Sequence, residues 1–386
     1  MRIVDVCAFY TPHGGGVKTY IGQKLAIGPQ LGHDITILAP GDDDAVIEQG
    51  PHARIITLAS PRLPVDRKYW YFNDEPALHA ALDAARPDFV EVSSPWRSPS
   101  VVARWPGNVP RALVMHADPL SAYAYRWFEP VLQRDTIDRR FGRFWDHLRT
   151  LGQSYDRVVC ASHDLATRLA QGGVANTVIH PMGIEAGLFS PDRRDPALRR
   201  ELLALCDLPE NALLLIAAGR LAAEKRLPML VDAVTIAGQR NPVGLVILGE
   251  GSQKARIAKQ MFGNPHIRLL GIERDRTRFA AMLASADALL HGCEAETFCM
   301  AAAEARACGV PVIVPDRGGA ADHAANGVGL TYQATSAVAA AEAITSLCEG
   351  RWRSATGVPF NRTMTDHFAA LFGDYGRLAK EYRRAA

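Results

Sequence analysis

The sequence predicts two α/β domains, each a doubly wound sheet of mainly parallel strands with helices on both faces. Short β-branched runs alternate with Ala-rich and Leu-rich segments at helical spacing along almost the whole chain. Several of these runs are apolar without alternation, as expected for parallel strands buried on both faces. The chain has 386 residues, which is too long for one typical core and suits two.

The predicted strands fall into two series. In the first half they are RIVDVCAF, DITILA, RIITLA, DFVEVS, RALVMH, RVVCAS and NTVIH. A fresh series follows with ALLLIAAG, GLVILG, IRLLG, DALLHG and PVIVPD. Each series is long enough to form a sheet of its own, with the helical segments between its strands.

A segment rich in glycine and proline separates the two series, HPMGIEAGLFSPDRRDPALRR at residues 180–200. It has no sustained period, so we interpret it as a linker and the start of the second domain. We therefore place the first domain at residues 1–185 and the second at 186–365. The final segment, 366–386, is predicted to be an amphipathic helix that must pack on another element. Its apolar face carries Phe368, Leu371, Phe372, Tyr375, Leu378 and Tyr382.

Composition excludes several classes of protein. A net charge of +2, from 43 basic and 41 acidic residues, gives no argument for a nucleic-acid partner. The seven cysteines form no Cys-x-x-Cys pair and lack histidines at zinc spacing, so we expect reduced thiols. The N-terminus does not have the pattern of a secretory signal, and no apolar run approaches membrane-spanning length. We expect a cytoplasmic protein, with contact at a membrane surface left open.

Two glutamates, with seven residues between them, lie in HGCEAETFCMAAAEARACGVPVIV, residues 291–314. Glu296 is predicted in the loop after a strand, and Glu304 on the helix that follows. Ligands of open α/β sheets bind beyond the carboxyl ends of the strands, where carboxylates suit the hydroxyl groups of sugars and ribose. The alternative is a solvated loop glutamate and a helix salt bridge with Arg306 or a lysine.

Two cations follow another strand of the same half. In AAGRLAAEKRLPMLVDA, Arg220 and Lys225 lie at a predicted strand-to-helix turn. Arginine binds two oxygens as a fork and lysine acts as a point charge, which suits a diphosphate. Ordinary surface charge is the alternative for either residue alone. Together with the two glutamates at the same end of the sheet, they indicate a nucleotide diphosphate sugar.

Two loops of the first half are weaker candidates. Gly14, Gly15 and Gly16 follow the first strand and would let a ligand approach the backbone closely, although a flexible loop accounts for them equally well. His116 ends a later strand, where it would position a sugar hydroxyl unless it is an ordinary core or surface histidine. The run GDDD at 41–44 has no further ligand nearby, so we interpret it as a solvated loop and assign no metal.

The segment 123–149 contains a predicted amphipathic helix. Its apolar face carries Ile137, Phe141, Phe144, Trp145 and Leu148, and the arginines Arg139, Arg140 and Arg143 lie elsewhere on it. A helix packed on the first sheet with a solvated basic face is the favoured interpretation. The alternative is a helix that lies on an anionic membrane and serves a lipid-linked acceptor.

These segments resemble, in their order along nearly the whole chain, the GT-B glycosyltransferases of glycosyltransferase family 4, a retaining group. The motifs are the glycine-rich loop, HAD, HPMGIEAGLFSP, GRLAAEK, LGEGSQKARI and EAETFCMAAAEARACGVPVIVPDRGGAAD. The resemblance implies a hexosyltransferase that needs no metal or other cofactor. Its donor would be a UDP- or GDP-sugar, and its acceptor a hydroxyl of a glycan or lipid-linked molecule. The C-terminal helix, 366–386, would complete the first domain.

The resemblance also implies roles for individual residues. Arg220 and Lys225 would bind the donor diphosphate and stabilise the leaving group. Glu296 would bind the transferred sugar and Glu304 the ribose. The remaining donor contacts would come from His116, from Gly15 and Gly16, from the backbone near Gly271, and from Phe298, Cys299 and Met300. His116, Arg220, Lys225 and Glu296 would be the catalytic residues.

Two positions depart from the family pattern, which usually has glycine where this chain has Arg226 and Cys299. A β-carbon at 299 would narrow the donor pocket, so this departure bears on the identity of the sugar and not on the activity. Rival interpretations are a phosphorylase, epimerase or hydrolase of the same architecture, and a nucleotide-sugar-binding protein without turnover. A dinucleotide oxidoreductase is a further rival, but HGGGV lacks the third glycine of that fingerprint.

Overall fold

The computed structural model describes residues 1–11, 16–64, 67–93, 95–129, 131–352 and 359–385. The chain divides into two compact units. The first comprises Met1–Leu120, Trp127–Pro181 and Met364–Ala386, and the second comprises Ser121–Arg126 and Met182–Thr363. Each unit contains one twisted, mainly parallel sheet with helices in its crossovers, which confirms the predicted fold class.

The sheet of the first unit has the strand order β3-β4-β2-β1-β5-β6-β7-β8. Its strands are β1 (Arg2–Cys7), β2 (Asp34–Gly41), β3 (Ala45–Gly50), β4 (Ala53–Ala59), β5 (Phe89–Ser93), β6 (Arg111–Val114), β7 (Arg157–Cys160) and β8 (Thr177–Ile179). All pair in parallel except β3, which pairs antiparallel with β4 at the edge. The apolar runs predicted as strands lie in this sheet because their side chains are buried on both faces, whereas the side chains of β3 are exposed along its whole length.

The sheet of the second unit has the order β11-β10-β9-β12-β13-β14, with every pair parallel. Its strands are β9 (Leu213–Ala218), β10 (Val243–Leu248), β11 (Ile267–Gly271), β12 (Ala288–Leu290), β13 (Val312–Pro315) and β14 (Gly329–Tyr332). Strand order reverses between β9 and β12, the first and fourth strands of this unit. In open α/β sheets such a reversal leaves a crevice beyond the carboxyl ends of the two strands.

Helices fill the connections between strands. They are α1 (Gly16–Gln30), α2 (Glu75–Ala85), α3 (Arg97–Ala103), α4 (Arg126–Phe128), α5 (Arg134–Arg140), α6 (Gly142–Ser154), α7 (His163–Gln171), α8 (Pro196–Leu205), α9 (Leu227–Ala237), α10 (Lys254–Gln260), α11 (Arg276–Ser285), α12 (Met300–Ala307), α13 (Ala337–Cys348) and α14 (Met364–Ala385). Several begin where a short polar side chain accepts from the first free N–H groups. Asp195 does so for α8, Asp275 for α11 and Ser336 for α13.

The C-terminal helix α14 belongs to the first unit. Its predicted apolar face is buried there at Phe368, Leu371, Phe372, Tyr375 and Leu378. The predicted helix within 123–149 is instead divided into α4, α5 and α6, and the buried positions on α5 and α6 include Ile137, Trp145 and Leu148. The arginines at 139, 140 and 143 are exposed. This agrees with a helical segment packed on the unit, and leaves membrane contact as a prediction.

A cluster of three ionisable groups lies buried in the first unit. Asp5 on β1 and Glu91 on β5 are register partners on neighbouring strands. Lys24 of α1 donates to both, at 2.7 Å to Asp5 and 2.6 Å to Glu91, and all three side chains are 0% exposed. The Tyr375 hydroxyl of α14 donates to the other Glu91 oxygen at 3.0 Å. The cluster therefore joins the first strand, the first helix and the last helix.

Among the described residues, no helix combines the length and the apolar composition that crossing a bilayer requires.

Candidate functional site

The candidate site lies at the carboxyl ends of β9 and β12, the two central strands of the second unit. These strands pair directly, with Leu215 opposite Ala288 and Ile216 opposite Leu289. The loops that follow them line one pocket, together with residues at the strand ends. The residues that line it include Gly219, Arg220, Lys225, His291 and Gly292. The predicted cations and the first predicted glutamate therefore belong to adjacent loops.

The loop after β9 begins with a close approach of two backbones. A β-carbon at Gly249, whose φ is +152°, would lie 1.9 Å from the carbonyl oxygen of Gly219. Only glycine fits at position 249, and the loop that carries Arg220 is held against the end of β10. The Arg220 side chain is 69% exposed and donates to Glu224 at 2.8 Å. An exposed guanidinium with one exchangeable carboxylate partner is available to bind an anion.

Lys225 and Glu296 form an ion pair across the two loops. Lys225 ends a 3₁₀ turn at Ala223–Lys225, and Glu296 follows β12. The Nε2 atom of His291 lies 3.3 Å from the same Glu296 oxygen. Burial works to raise the pKa of Glu296, but Lys225 and His291 outweigh it and hold the pKa well below its usual range. Burial likewise opposes the charge of Lys225, and Glu296 reverses that effect and raises the Lys225 pKa. Both groups are charged at neutral pH.

Hydrogen bonds from Gly319 and His323 fix the turn before α12. Gly319 N–H donates to the Glu296 carbonyl at 2.6 Å, and the buried His323 ring donates through Nε2 to the Phe298 carbonyl at 2.8 Å. Cys299, at the N-cap of α12, has a left-handed φ of 74°, and no side chain caps this end of the helix in the described structure. Phe298 and Cys299 are buried and Met300 is exposed. The start of α12 therefore presents N–H groups beside Glu296.

Glu304, the second predicted glutamate, is buried on α12. Arg276 Nη2 donates to it at 2.8 Å, so its ion-pair partner is Arg276 rather than the Arg306 weighed from the sequence. Burial raises the pKa of Glu304, and Arg276 partly offsets this. The Arg276 guanidinium also lies 5.1 Å from the ring of Phe189. Only one oxygen of Glu304 is bound by Arg276, and a carboxylate has several acceptor positions.

Gly271 is the last residue of β11, so it lies at the same carboxyl end of this sheet. Its φ is +82°, and its carbonyl accepts from Gly249 N–H at 2.7 Å. A β-carbon at this position would lie 3.4 Å from a carboxylate oxygen of Glu250. The glycine permits the left-handed turn by which the chain leaves β11.

Three predicted site residues belong to the first unit. Gly15 lies outside the described residues, and Gly16 begins α1. His116 follows β6, and its ring packs edge-on against Tyr20 at a centroid distance of 4.7 Å. Burial, together with the charge of Lys24, lowers the pKa of His116 to about 3, so the imidazole is neutral at physiological pH.

Sequence reasoning gave no role to a second ion pair beside the first. Arg226 donates from Nε to both oxygens of the buried Glu294, at 2.9 and 2.7 Å. The sequence did contain a sign of this pair, since Arg226 stands where the family pattern has glycine. Its partner could not be identified because the pairing depends on how the loops after β9 and β12 meet.

One group of side chains in the described structure has metal-ligand character. The donor atoms of His291, Glu296 and Cys299 lie within 4.8 Å of one another. The Lys225 ammonium contacts the same carboxylate, so positive charge is already present at this point. The expectation of a site that works without a metal stays a prediction.

Comparisons with known proteins were made at the levels of family, sequence and fold. Residues 15–183 match the glycosyl transferase 4-like domain, and residues 205–356 match the glycosyl transferases group 1 family. The chain is 31% identical over 319 residues to a GDP-mannose-dependent alpha-(1-6)-phosphatidylinositol dimannoside mannosyltransferase of Mycobacterium tuberculosis, covering 81% of this chain and 79% of that protein. It is 26% identical over 334 residues to a GDP-mannose-dependent alpha-mannosyltransferase of Corynebacterium glutamicum, covering 85% and 75% respectively.

Solved structures share the fold at low sequence identity. Sucrose-phosphate synthase from Thermosynechococcus elongatus superposes with a TM-score of 0.70 at 20% identity, covering 100% of this chain and 98% of that one. The Anabaena protein HepE in complex with UDP gives a TM-score of 0.65 at 16% identity, covering 100% and 99%. The matched domains, the mannosyltransferase relative that is 31% identical over 81% of this chain, and the two Rossmann-like units lead to one conclusion: the chain belongs to glycosyltransferase family 4, the glycosyl transferases group 1, with the GT-B fold.

Proposed function

We propose that this protein is a retaining, metal-independent mannosyltransferase that moves mannose from GDP-mannose to a hydroxyl of a lipid-linked or glycan acceptor. The observation that carries the proposal is the Lys225–Glu296 ion pair at the carboxyl ends of β9 and β12. It supplies a cation for a diphosphate and a carboxylate for sugar hydroxyls, side by side. The choice of GDP-mannose and of a glycolipid acceptor rests on the relatives, whose names specify GDP-mannose and, in one case, a phosphatidylinositol dimannoside.

The cations bind the donor diphosphate. Arg220 exchanges its contact with Glu224 for phosphate oxygens, which costs little because the arginine is largely exposed. Lys225 exchanges part of its contact with Glu296, and its raised pKa keeps it charged during the exchange. The N–H groups at Phe298, Cys299 and Met300 add donors at the start of α12.

The carboxylates bind the donor's hydroxyl groups. Glu296 remains ionised because its pKa lies well below the usual range, so it accepts from hydroxyls of the transferred sugar. Glu304 accepts from the ribose hydroxyls with the oxygen that Arg276 leaves available. We place the base beside the backbone at Gly271. The neutral imidazole of His116 is chemically suited to a hydrogen bond with a sugar hydroxyl, and the roles of His116, Gly15 and Gly16 toward the donor stay predictions from the family resemblance.

The reaction breaks the bond between the anomeric carbon and the leaving phosphate oxygen. A bond from the acceptor oxygen to that carbon forms on the same face of the sugar. The acceptor's proton passes to the leaving phosphate, so no protein nucleophile is required. Arg220 and Lys225 accelerate this step by stabilising the negative charge that develops on the diphosphate.

Contact with an anionic membrane is part of the proposal for a lipid-linked acceptor. Arg139 and Arg140 on α5 and Arg143 on α6 are exposed, as are the apolar side chains of Trp127 and Val131. Basic and aromatic side chains together suit the surface of a bilayer with anionic lipids. Sedimentation with vesicles of phosphatidylglycerol, compared with phosphatidylcholine alone, tests this contact.

The test of the transferase proposal is a radiolabelled assay with GDP-mannose, UDP-glucose and UDP-galactose in EDTA. Phosphatidylinositol mannosides and a mannose disaccharide serve as acceptors, and NMR of the product gives the anomeric configuration. We expect an α-mannosyl product from GDP-mannose alone, and its loss in Glu296→Gln but not in Arg278→Ala, a surface ion-pair control. Phosphorolysis, epimerisation, or binding without transfer would identify a rival activity. An inverted product or a strict need for a divalent metal would refute the mechanism.

A further inference from the structure

Arg226 occupies a backbone position that is unfavourable for arginine. It is the N-cap of α9 with φ 49° and ψ 30°, in the left-handed region. The family pattern has glycine here, and glycine alone adopts this conformation without a steric cost from a β-carbon. An arginine at such a position needs a compensating interaction from its side chain.

The side chain makes that interaction with Glu294. Nε donates to both carboxylate oxygens, at 2.9 and 2.7 Å, and Nη2 also contacts Oε1. The Glu294 side chain is 3% exposed and that of Arg226 is 21% exposed. A carboxylate this deeply buried is stable as an ion only with a partner of opposite charge and good geometry. The two residues therefore depend on each other.

The pair lies directly beside the proposed diphosphate site. Successive cations at 225 and 226 contact carboxylates at 296 and 294, so two ion pairs join the same two loops. The backbones also meet there, since a β-carbon at Gly292 would lie 2.7 Å from the Lys225 carbonyl oxygen. The backbone of Gly318 also packs closely against Glu294, since a β-carbon at Gly318 would lie 2.3 Å from the Glu294 carbonyl oxygen. The loop that carries Lys225 is thus anchored to a rigid neighbour.

The two ion pairs differ in what a donor does to them. Lys225 gives up part of its contact with Glu296 when the diphosphate and the sugar bind, according to the proposed function. The N–H groups of Arg226 that donate to Glu294 face a carboxylate that is 3% exposed, and so lie away from solvent. That contact persists while the other is exchanged, and it keeps Lys225 at the position where the phosphates arrive.

We infer that Arg226 and Glu294 form a positioning pair, which holds Lys225 in place for the donor diphosphate without touching the donor themselves. The inference rests on the proposed function, since it assigns a task to a pair beside that site. It also explains why this chain carries a non-glycine residue at position 226.

The test uses the double variant Arg226→Gly/Glu294→Gln, which restores glycine at the left-handed position and leaves no unpaired buried charge. The matched control is Arg199→Gln/Asp287→Asn. It removes an arginine–carboxylate pair of 2.9 Å in the same unit, where Asp287 immediately precedes β12, at the opposite end of that strand. Melting temperature, GDP and UDP affinity by calorimetry, and KM and kcat for GDP-mannose are measured for each protein. We expect the test variant to stay folded and lose about tenfold in nucleotide affinity, and the control to bind as the wild type does.

A double-mutant cycle separates positioning from a general loss of stability. In a Lys225→Ala background, the change at 226 and 294 should cause no further loss of affinity, because Lys225 is the group it positions. Additive losses, or unchanged affinity in the double variant, would overturn the inference while leaving the transferase proposal standing. A wild-type protein that binds neither GDP nor UDP would overturn both. Binding without transfer would overturn the proposed activity alone.

Discussion

Replacing Glu91 by glutamine should change how the stability of the first unit depends on pH. Glu91 is fully buried, and two carboxylates there share the single ammonium of Lys24. Burial and the charge of Asp5 raise the pKa of Glu91 to about 7, although Lys24 opposes the shift. The folded protein therefore binds a proton at Glu91 over a pH range in which the unfolded chain has already lost it.

The sign and size of the change in unfolding free energy follow from this shift in the pKa of Glu91. A carboxyl group whose pKa is raised on folding gains stability from its proton, so the unfolding free energy falls as pH rises from about 4.5 to about 7. At about 1.4 kcal/mol per pKa unit, the loss approaches roughly 3 kcal/mol once Glu91 is ionised. Glutamine has the same shape and carries no charge, so the variant should lack this decrease. For a unit of this size, the difference corresponds to a shift of about 6 to 12 °C in melting temperature.

The assay is a series of thermal melts of wild type and Glu91→Gln from pH 4.5 to pH 8.5. Hydrogen exchange of peptides from β1, β5 and α14 assigns each transition to the first unit. We expect the melting temperature of the variant to rise relative to that of the wild type as pH increases, with most of the change between pH 5 and pH 7. Parallel curves would refute the reasoning, since they would mean that Glu91 keeps an ordinary pKa when folded. Glu342→Gln, a change on α13 of the second unit, is the control.

Three further predictions concern the proposed donor site. Arg220→Ala should weaken GDP binding about 10- to 100-fold in calorimetry, the value of one or two charge-assisted hydrogen bonds, with melting temperature unchanged. Glu296→Gln should lower kcat/KM at least 100-fold with folding intact; equal activity would exclude Glu296 as a sugar ligand. The pH–rate profile should show no ionisation of Glu296 or Lys225 between pH 5 and pH 9, because the pKa of Glu296 is lowered and the pKa of Lys225 is raised. A titration step in this range that disappears in Glu296→Gln or Lys225→Ala would contradict the prediction.

The strands were predictable where burial imposes an apolar run. β9, LLLIAA, and β10, VGLVIL, are examples, and their parallel pairing follows from the helices between them. β3 was missed because it is an exposed antiparallel edge strand, so its sequence AVIEQG carries no buried face. β14 was missed as a short strand of four residues. Both lie at the edges of their sheets, where a strand has only one neighbour.

The predicted helix within 123–149 shows a different limit of pattern reasoning. Phe141 is both the C-cap of α5 and the N-cap of α6, so the break between the two helices occupies a single position. Such a short break hardly disturbs the apolar period, and over residues 137–148 the sequence therefore indicates one helix where the structure has two, α5 and α6. Of the predicted apolar face, Ile137, Trp145 and Leu148 are buried, whereas Phe141 and Phe144 are half-buried.

At the candidate site, residues near in sequence were easier to identify than partners far apart. Arg220 and Lys225 share one turn, and Glu296 follows a strand that had been predicted, so their common end of the sheet could be deduced. The partners of Glu294 and Glu304 could not, since Arg226 and Arg276 reach them only through packing between loops and helices. Such pairing depends on distances of a few ångströms that strand and helix patterns do not contain.

The buried cluster around Lys24 bears on the order in which the chain folds during synthesis. Asp5, Lys24 and Glu91 precede the segment Met182–Thr363 along the chain, but Tyr375, whose hydroxyl donates to Glu91, follows it. Domains generally fold as units while the chain emerges from the ribosome. The segment Met182–Thr363 of the second unit is complete before α14 is translated, whereas the first unit is not. The first unit therefore begins before the second and is completed after it, and until α14 is made Glu91 lacks the hydrogen bond from Tyr375.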